Sequence, residues 1–176
     1  WVTGEPGRGP MRSGAAISDV TAGILCANAV VMALLEREHS GVGQWVHTSL
    51  IEAMIFLLDF QAARWTMSQD LPGQLANNHP TNSPMGVFKS ADGYVTIGPT
   101  AGMWPKFWAA LGREDLVNDA DYATATNRAK NRAALNEQID SVTAGKSSAQ
   151  WVELMNKAGI PCGPICTLAE TFADPQ

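Results

Sequence analysis

Basic charge, cysteine and unbroken apolar runs are all scarce in this sequence. Twelve Lys and Arg stand against seventeen Asp and Glu over 176 residues, a net charge of −5. That balance disfavours a nucleic-acid-binding role, which usually needs a basic face, and a polybasic membrane anchor. Charged residues make up only 16% of the chain, against roughly 25% in an ordinary soluble domain. With 45% hydrophobic residues, the chain is rich in core-forming material, and disorder is excluded. Cysteine occurs three times, at Cys26, Cys162 and Cys166, an odd count that makes no disulfide framework. His39, His47 and His79 are scattered and form no H-E-x-x-H pattern, so no metal site is expected. No apolar run reaches the roughly 18 residues of a membrane span, and no signal peptide opens the chain. A cytoplasmic protein with no membrane or nucleic-acid partner is the expectation. The first residue is Trp1 rather than Met, and the length is expected to be that of a fragment.

What is present alternates between helical and strand-like patterns. Ile17, Val20, Ile24, Ala27, Val31 and Leu34 recur at helical spacing and predict a helix over 17–38. Its alanines make it small-sided, suited to close packing. Ser40-Gly41-Val42-Gly43 reads as a helix stop and turn. Gln44 to Ser49, β-branched and aromatic, predicts a strand, and Leu50 to Met67 a second helix. Residues 68–84 carry four prolines and glycines among asparagines and no periodicity, a long polar loop. Beyond it, Gly86–Lys89 and Tyr94–Ile97 flank Asp92-Gly93 and predict a hairpin. Helices follow over about 102–112, 128–143 and 147–158, then a strand over 160–167 and a helical turn over 168–173.

Three stretches offer chemistry. Asp19 sits at the mouth of the first helix after the glycine-containing run Ser13-Gly14-Ala15-Ala16. An anion there is stabilised by first-turn N–H groups and the helix dipole. Physics alone leaves open whether it is a first-turn acid or a nucleophilic carboxylate. The Gly41-Val42-Gly43 turn follows a helix instead of opening one, so a dinucleotide-binding reading fails. Asn77-Asn78-His79-Pro80 offers polar groups in an extended loop, with a solvated loop as the plain alternative. No G-x-S-x-G elbow exists.

The run from Ser13 to Asp19, with Gly23, Ala33-Leu34, Arg37 and Ser40-Gly41-Val42-Gly43-Gln44-Trp45-Val46, resembles the class III CoA-transferases. That group also includes formyl-CoA transferase, the carnitine CoA-transferase and α-methylacyl-CoA racemase. Ser90-Ala91-Asp92-Gly93-Tyr94-Val95, Met103-Trp104-Pro105 and Gly159-Ile160-Pro161-Cys162-Gly163-Pro164 look like the family's distal motifs, in the same order.

The resemblance implies a fold and an activity. The fold class is α/β: residues 1–67 end a Rossmann-like large domain, with long helices and a strand. Residues 68–84 are the linker and active-site loop, and 85–176 a small α+β domain with an antiparallel hairpin. Asp19 falls on the catalytic aspartate, which attacks an acyl-CoA thioester to give a mixed anhydride and then an aspartyl-CoA thioester. Asn78, His79 and Pro80 fall on the substrate-closing loop, where the formyl-CoA enzyme's glycine run is absent. A larger carboxylic acid than formate or oxalate is therefore the expected partner of the acyl-CoA. Coenzyme A enters as a thioester substrate; no covalently bound cofactor is implied. Members form interlocked homodimers and are much longer, so the chain alone is expected to be inactive. The racemase branch places a glutamate where Gly98–Met103 has no acid, which favours transfer. Racemisation and a catalytically silent binding or folding module stay open as alternatives.

Overall fold

The computed structural model describes residues 2–175. Among these residues eight α-helices and three strands run in the order α1 (Ile17–Ser40), α2 (Leu50–Leu57), α3 (Phe60–Ser68), β1 (Gly86–Ser90), β2 (Gly93–Ile97), α4 (Trp104–Leu111), α5 (Ala125–Lys130), α6 (Arg132–Thr143), α7 (Ser148–Lys157), β3 (Cys162–Pro164) and α8 (Leu168–Ala173). The chain parts into two compact units between Ala76 and Asn77.

The first unit is helical. Helix α1 ends where Gly41 turns left-handed at φ 73° and returns its N–H to the Arg37 carbonyl. Ser49 caps α2 by accepting the Glu52 N–H. The single helix expected over 50–67 is broken: Asp59 adopts φ 47° and ψ −125°, and α3 restarts from its carbonyl. The strand expected over 44–49 does not form among the described residues. A strand needs a neighbour for its N–H and C=O groups, and this unit supplies none; Trp45 stands 89% exposed. The strand assigned to a Rossmann-like end is thus absent from residues 2–76.

Helix α1 also corrects the reading of apolar runs. Ser18, Thr21 and Asn28 interrupt the run, yet α1 is 24 residues long and apolar enough to cross a membrane by length and composition. Val20, Ile24, Val31, Met32 and Leu35 are exposed along it. Near the chain start, Gln74 Nε2 donates to the carbonyls of Thr3 (2.9 Å) and Gly9 (2.5 Å), tying residues 3–9 to 74–76.

The second unit is built on a three-stranded antiparallel sheet in the order β1-β2-β3. The hairpin pairs Phe88 with Val95 and Ser90 with Gly93. Strand alternation puts Phe88, Val95 and Ile97 on one buried face. Trp104, Phe107, Trp108 and Leu111 repeat at i, i+3, i+4 and i+7, so α4 presents one apolar stripe, and all four are buried. They join Leu135 and Ile139 of α6 and Trp151 and Met155 of α7 in a single core. The helix expected over 128–143 is divided at Asn131 into α5 and α6. The strand expected over 160–167 shrinks to Cys162–Pro164, paired with Val95–Ile97. Side chains finish the sheet's margins. Asp140 of α6 accepts the Lys89 N–H at 2.8 Å, occupying a donor on edge strand β1. Asp92 in the hairpin turn accepts from the Ser148 N–H at the start of α7.

Candidate active site

Asp19 lies in the first unit, at the third residue of α1. It is exposed, and its carboxylate accepts a hydrogen bond from the Ser18 hydroxyl at 2.9 Å. Ala16 precedes the helix with no side-chain cap, so the first-turn N–H groups are left to other acceptors. Farther along, Ala33, Leu34, Arg37, Gly43, Gln44 and Val46 line a cleft of about 170 Å³.

Asn78, His79 and Pro80 lie in the second unit, all half-buried. The loop's start is pinned to the sheet: Asn78 bridges Gly86, and the His79 N–H donates to the Met85 carbonyl at 2.8 Å. Gly86 has to be glycine, because a Cβ there would collide with the Asn77 carbonyl. The His79 ring folds over its own loop. Its Nδ1 accepts the N–H groups of Thr81 (3.2 Å) and Asn82 (3.0 Å). With Nδ1 an acceptor, the neutral ring carries its proton on Nε2. The loop closes through a cis Ser83–Pro84 bond.

Three side chains that the sequence reading passed over hold this loop. Arg128 Nε donates to the Ser83 carbonyl at 3.0 Å, and its Nη1 to the Tyr122 and Ala123 carbonyls at 2.9 and 3.3 Å. The guanidinium also stacks 4.4 Å from the Trp104 ring. Arg132 Nη1 donates to the His79 carbonyl at 2.6 Å. Asn136 Nδ2 donates to Asn78 Oδ1 at 2.7 Å. Burial holds both guanidinium groups below their ordinary value; backbone carbonyls, not carboxylates, satisfy them. Arg128, Asn82, Ser83 and Thr100 are among the residues that line a small cavity of about 30 Å³. In the sequence, Arg128 and Arg132 look like the solvated face of a helix, and only their spacing of four was visible. Among the described residues no group of three or more His, Cys, Asp or Glu gathers as a metal site. Cys162 is half-buried, with its thiol pushed up to about 11 by burial.

The model of CoA-transferase family III matches residues 1–176, and the chain belongs to that family. Succinyl-CoA:mesaconate CoA-transferase of Haloarcula hispanica is 31% identical over 99% of this chain and 44% of its own length. Succinate–glutarate CoA-transferase of Agrobacterium fabrum is 30% identical over the same shares. Among solved structures, a CAIB/BAIF family protein from Brucella suis superposes with a TM-score of 0.79 at 34% identity. That match covers 99% of this chain and 46% of the other. The chain thus spans less than half the length of these relatives.

Proposed function

We propose that this chain is the Asp19-bearing part of a longer enzyme that moves CoA from an acyl-CoA thioester to a dicarboxylic acid. The single observation that carries the reading is Asp19 itself. It is an exposed carboxylate in the first turn of α1, after Gly14, within a family III sequence. The helix dipole favours the anion a nucleophile requires.

In this mechanism an Asp19 oxygen attacks the thioester carbonyl, the C–S bond breaks, and CoA leaves as the thiolate. The thiolate attacks the aspartyl carbonyl of the anhydride, which releases the donor carboxylate and leaves an aspartyl-CoA thioester. The acceptor carboxylate then displaces the thiolate to form a second anhydride. Attack of the thiolate on its acceptor carbonyl gives the new acyl-CoA and restores Asp19. First-turn amides are suited to the oxyanion of each tetrahedral species. Asn78, His79 and Pro80 are assigned to substrate binding on the strength of the family resemblance. The dicarboxylate preference draws on the relatives named for mesaconate and glutarate. The apolar exposure of α1 fits a helix packed inside a cytoplasmic, interlocked homodimer, and the 176 residues alone are silent.

Hydroxylamine trapping during turnover tests this. In the longer enzyme carrying this sequence, acyl-CoA plus hydroxylamine converts Asp19 to the hydroxamate, and Asp19→Ala abolishes transfer. An unlabelled, fully active enzyme overturns the reading. Exchange of the α-proton for deuterium with no acceptor acid present would mark racemisation instead.

A further inference from the structure

We infer that Arg128, Arg132 and Asn136 are positioning residues that set the conformation of the substrate loop; the inference rests on the assignment of Asn78 and His79 to the active site. Arg132 and Asn136 lie four residues apart on one face of α6, and Arg128 lies on α5, across the break at Asn131, so the three make a row of donors through their contacts with the loop and not through one continuous helix. The loop runs antiparallel to that row. Arg128 takes the Ser83 carbonyl, Arg132 the His79 carbonyl and Asn136 the Asn78 side chain. Each contact fixes a different rung of one six-residue segment. Between the rungs, the Thr81 and Asn82 N–H groups close on His79 Nδ1. The path of the loop therefore dictates the ring's tautomer, and Nδ1 is removed from service as a proton acceptor.

The energetics separate this role from simple stabilisation. Asn136 Oδ1 is buried with no hydrogen-bond partner. A buried acceptor left unpaired lowers stability. Two guanidinium groups are likewise held below their ordinary value by burial, with no carboxylate to offset it. A leucine at 136 would remove the orphan and fill the space with apolar atoms. Retaining the amide at a cost to stability is expected where geometry matters to chemistry.

The test uses the longer enzyme carrying this sequence, with succinyl-CoA as donor and glutarate as acceptor. Asn136→Leu removes the unpaired oxygen together with the donor to Asn78 Oδ1, so thermal stability is expected to change little while kcat falls about ten- to hundredfold, the cost of a misplaced substrate group. KM for succinyl-CoA should move less than about threefold, because the loop positions the reacting end instead of holding CoA. Arg132→Met should show the same split, and Arg132→Lys, which keeps a donor for the His79 carbonyl, should recover most of kcat. If both variants keep kcat within about twofold of the parent, or lose activity only in step with the folded fraction, the positioning role is overturned. His79→Ala separates the two levels of argument. If it leaves transfer intact, the active-site assignment of the loop fails and the positioning role falls with it. If it cripples transfer while the row variants do not, only the positioning role fails.

Discussion

The two units use apolar residues in opposite ways. In residues 77–175 the large apolar side chains repeat on one face of each element and converge. Phe107, Trp108, Leu135 and Trp151 are all fully buried. In residues 2–76 the buried apolar residues are small, Ala22, Ala53 and Pro72, while Val31, Met32, Leu35, Ile51 and Phe56 lie open. The first unit is the more apolar by composition, yet it is periodicity that decides where those residues go. Helix α4 carries a stripe, whereas α1 is apolar all round, the pattern of a helix buried on several sides in a larger body. One unit holds its own core, and the other leaves its large apolar side chains open.

A matched pair of substitutions puts the largest strain on that contrast. Phe107 is fully buried between Trp104 and Trp108, with ring centroids 6.3 and 5.2 Å away. Phe107→Ala should cost about 3–5 kcal/mol in urea unfolding followed by circular dichroism, through lost burial and a residual cavity. Phe56 in α2 is 65% exposed, and Phe56→Ala should change the same chain by about 0.5 kcal/mol or less. Equal losses would mean that the first unit has a core of its own.

A smaller effect comes from the way the second unit fastens its sheet to its helices. Asp92 accepts from the Ser148 N–H and the Ser90 hydroxyl, both at 2.8 Å, and from the Ser148 hydroxyl at 3.3 Å. These bonds, the Ser148 amide first, hold the Asp92 carboxyl below the ordinary value of 3.8. A carboxyl lowered by folding adds stability above its ordinary value, and that stability is lost as pH falls through the lowered one. Asp92→Ala should therefore lower the midpoint for the second unit at neutral pH. It should also flatten the stability loss that the parent shows below about pH 4. An unchanged acid slope would remove Asp92 from the clamp.

The same contrast explains what could be read from residues alone. Period-2 and period-3.6 patterns placed the hairpin and the helices of the second unit to within a few residues, because their cores lie within the chain. The Asp92-Gly93 turn and the Trp104–Leu111 stripe are local signals backed by local packing. In the first unit local pattern and local packing part company. Gln44–Ser49 has strand composition but no neighbour to pair with, and the Leu50–Met67 pattern hides a break at Asp59. Of the candidate site, Asp19 and Asn78-His79-Pro80 were singled out through family motifs. Arg128, Arg132 and Asn136 were not, because a polar residue turned onto a loop and one turned to water have the same sequence pattern.

The break at Asp59 sets the smallest test and the most local one. Its φ of 47° with ψ −125° lies outside the regions open to side chains with a Cβ, at a cost of about 1–3 kcal/mol. The side chain offers no cap bond in return, although the carbonyl still accepts the Ala62 and Ala63 N–H groups at 3.1 and 3.3 Å. Glycine keeps that carbonyl and relieves the strain, while adding chain entropy to the unfolded state. Asp59→Gly should thus raise local stability by about 1 kcal/mol or less, read as slower amide exchange at Ala62 and Ala63. Asp59→Ala should do the reverse if the kink is imposed by the packing of α2 and α3, since alanine tolerates that conformation no better. If alanine slowed exchange instead, the two helices would be joining into one. The break would then belong to Asp59 itself, and the open apolar face of the first unit would be easier to straighten than the core of the second is to disturb.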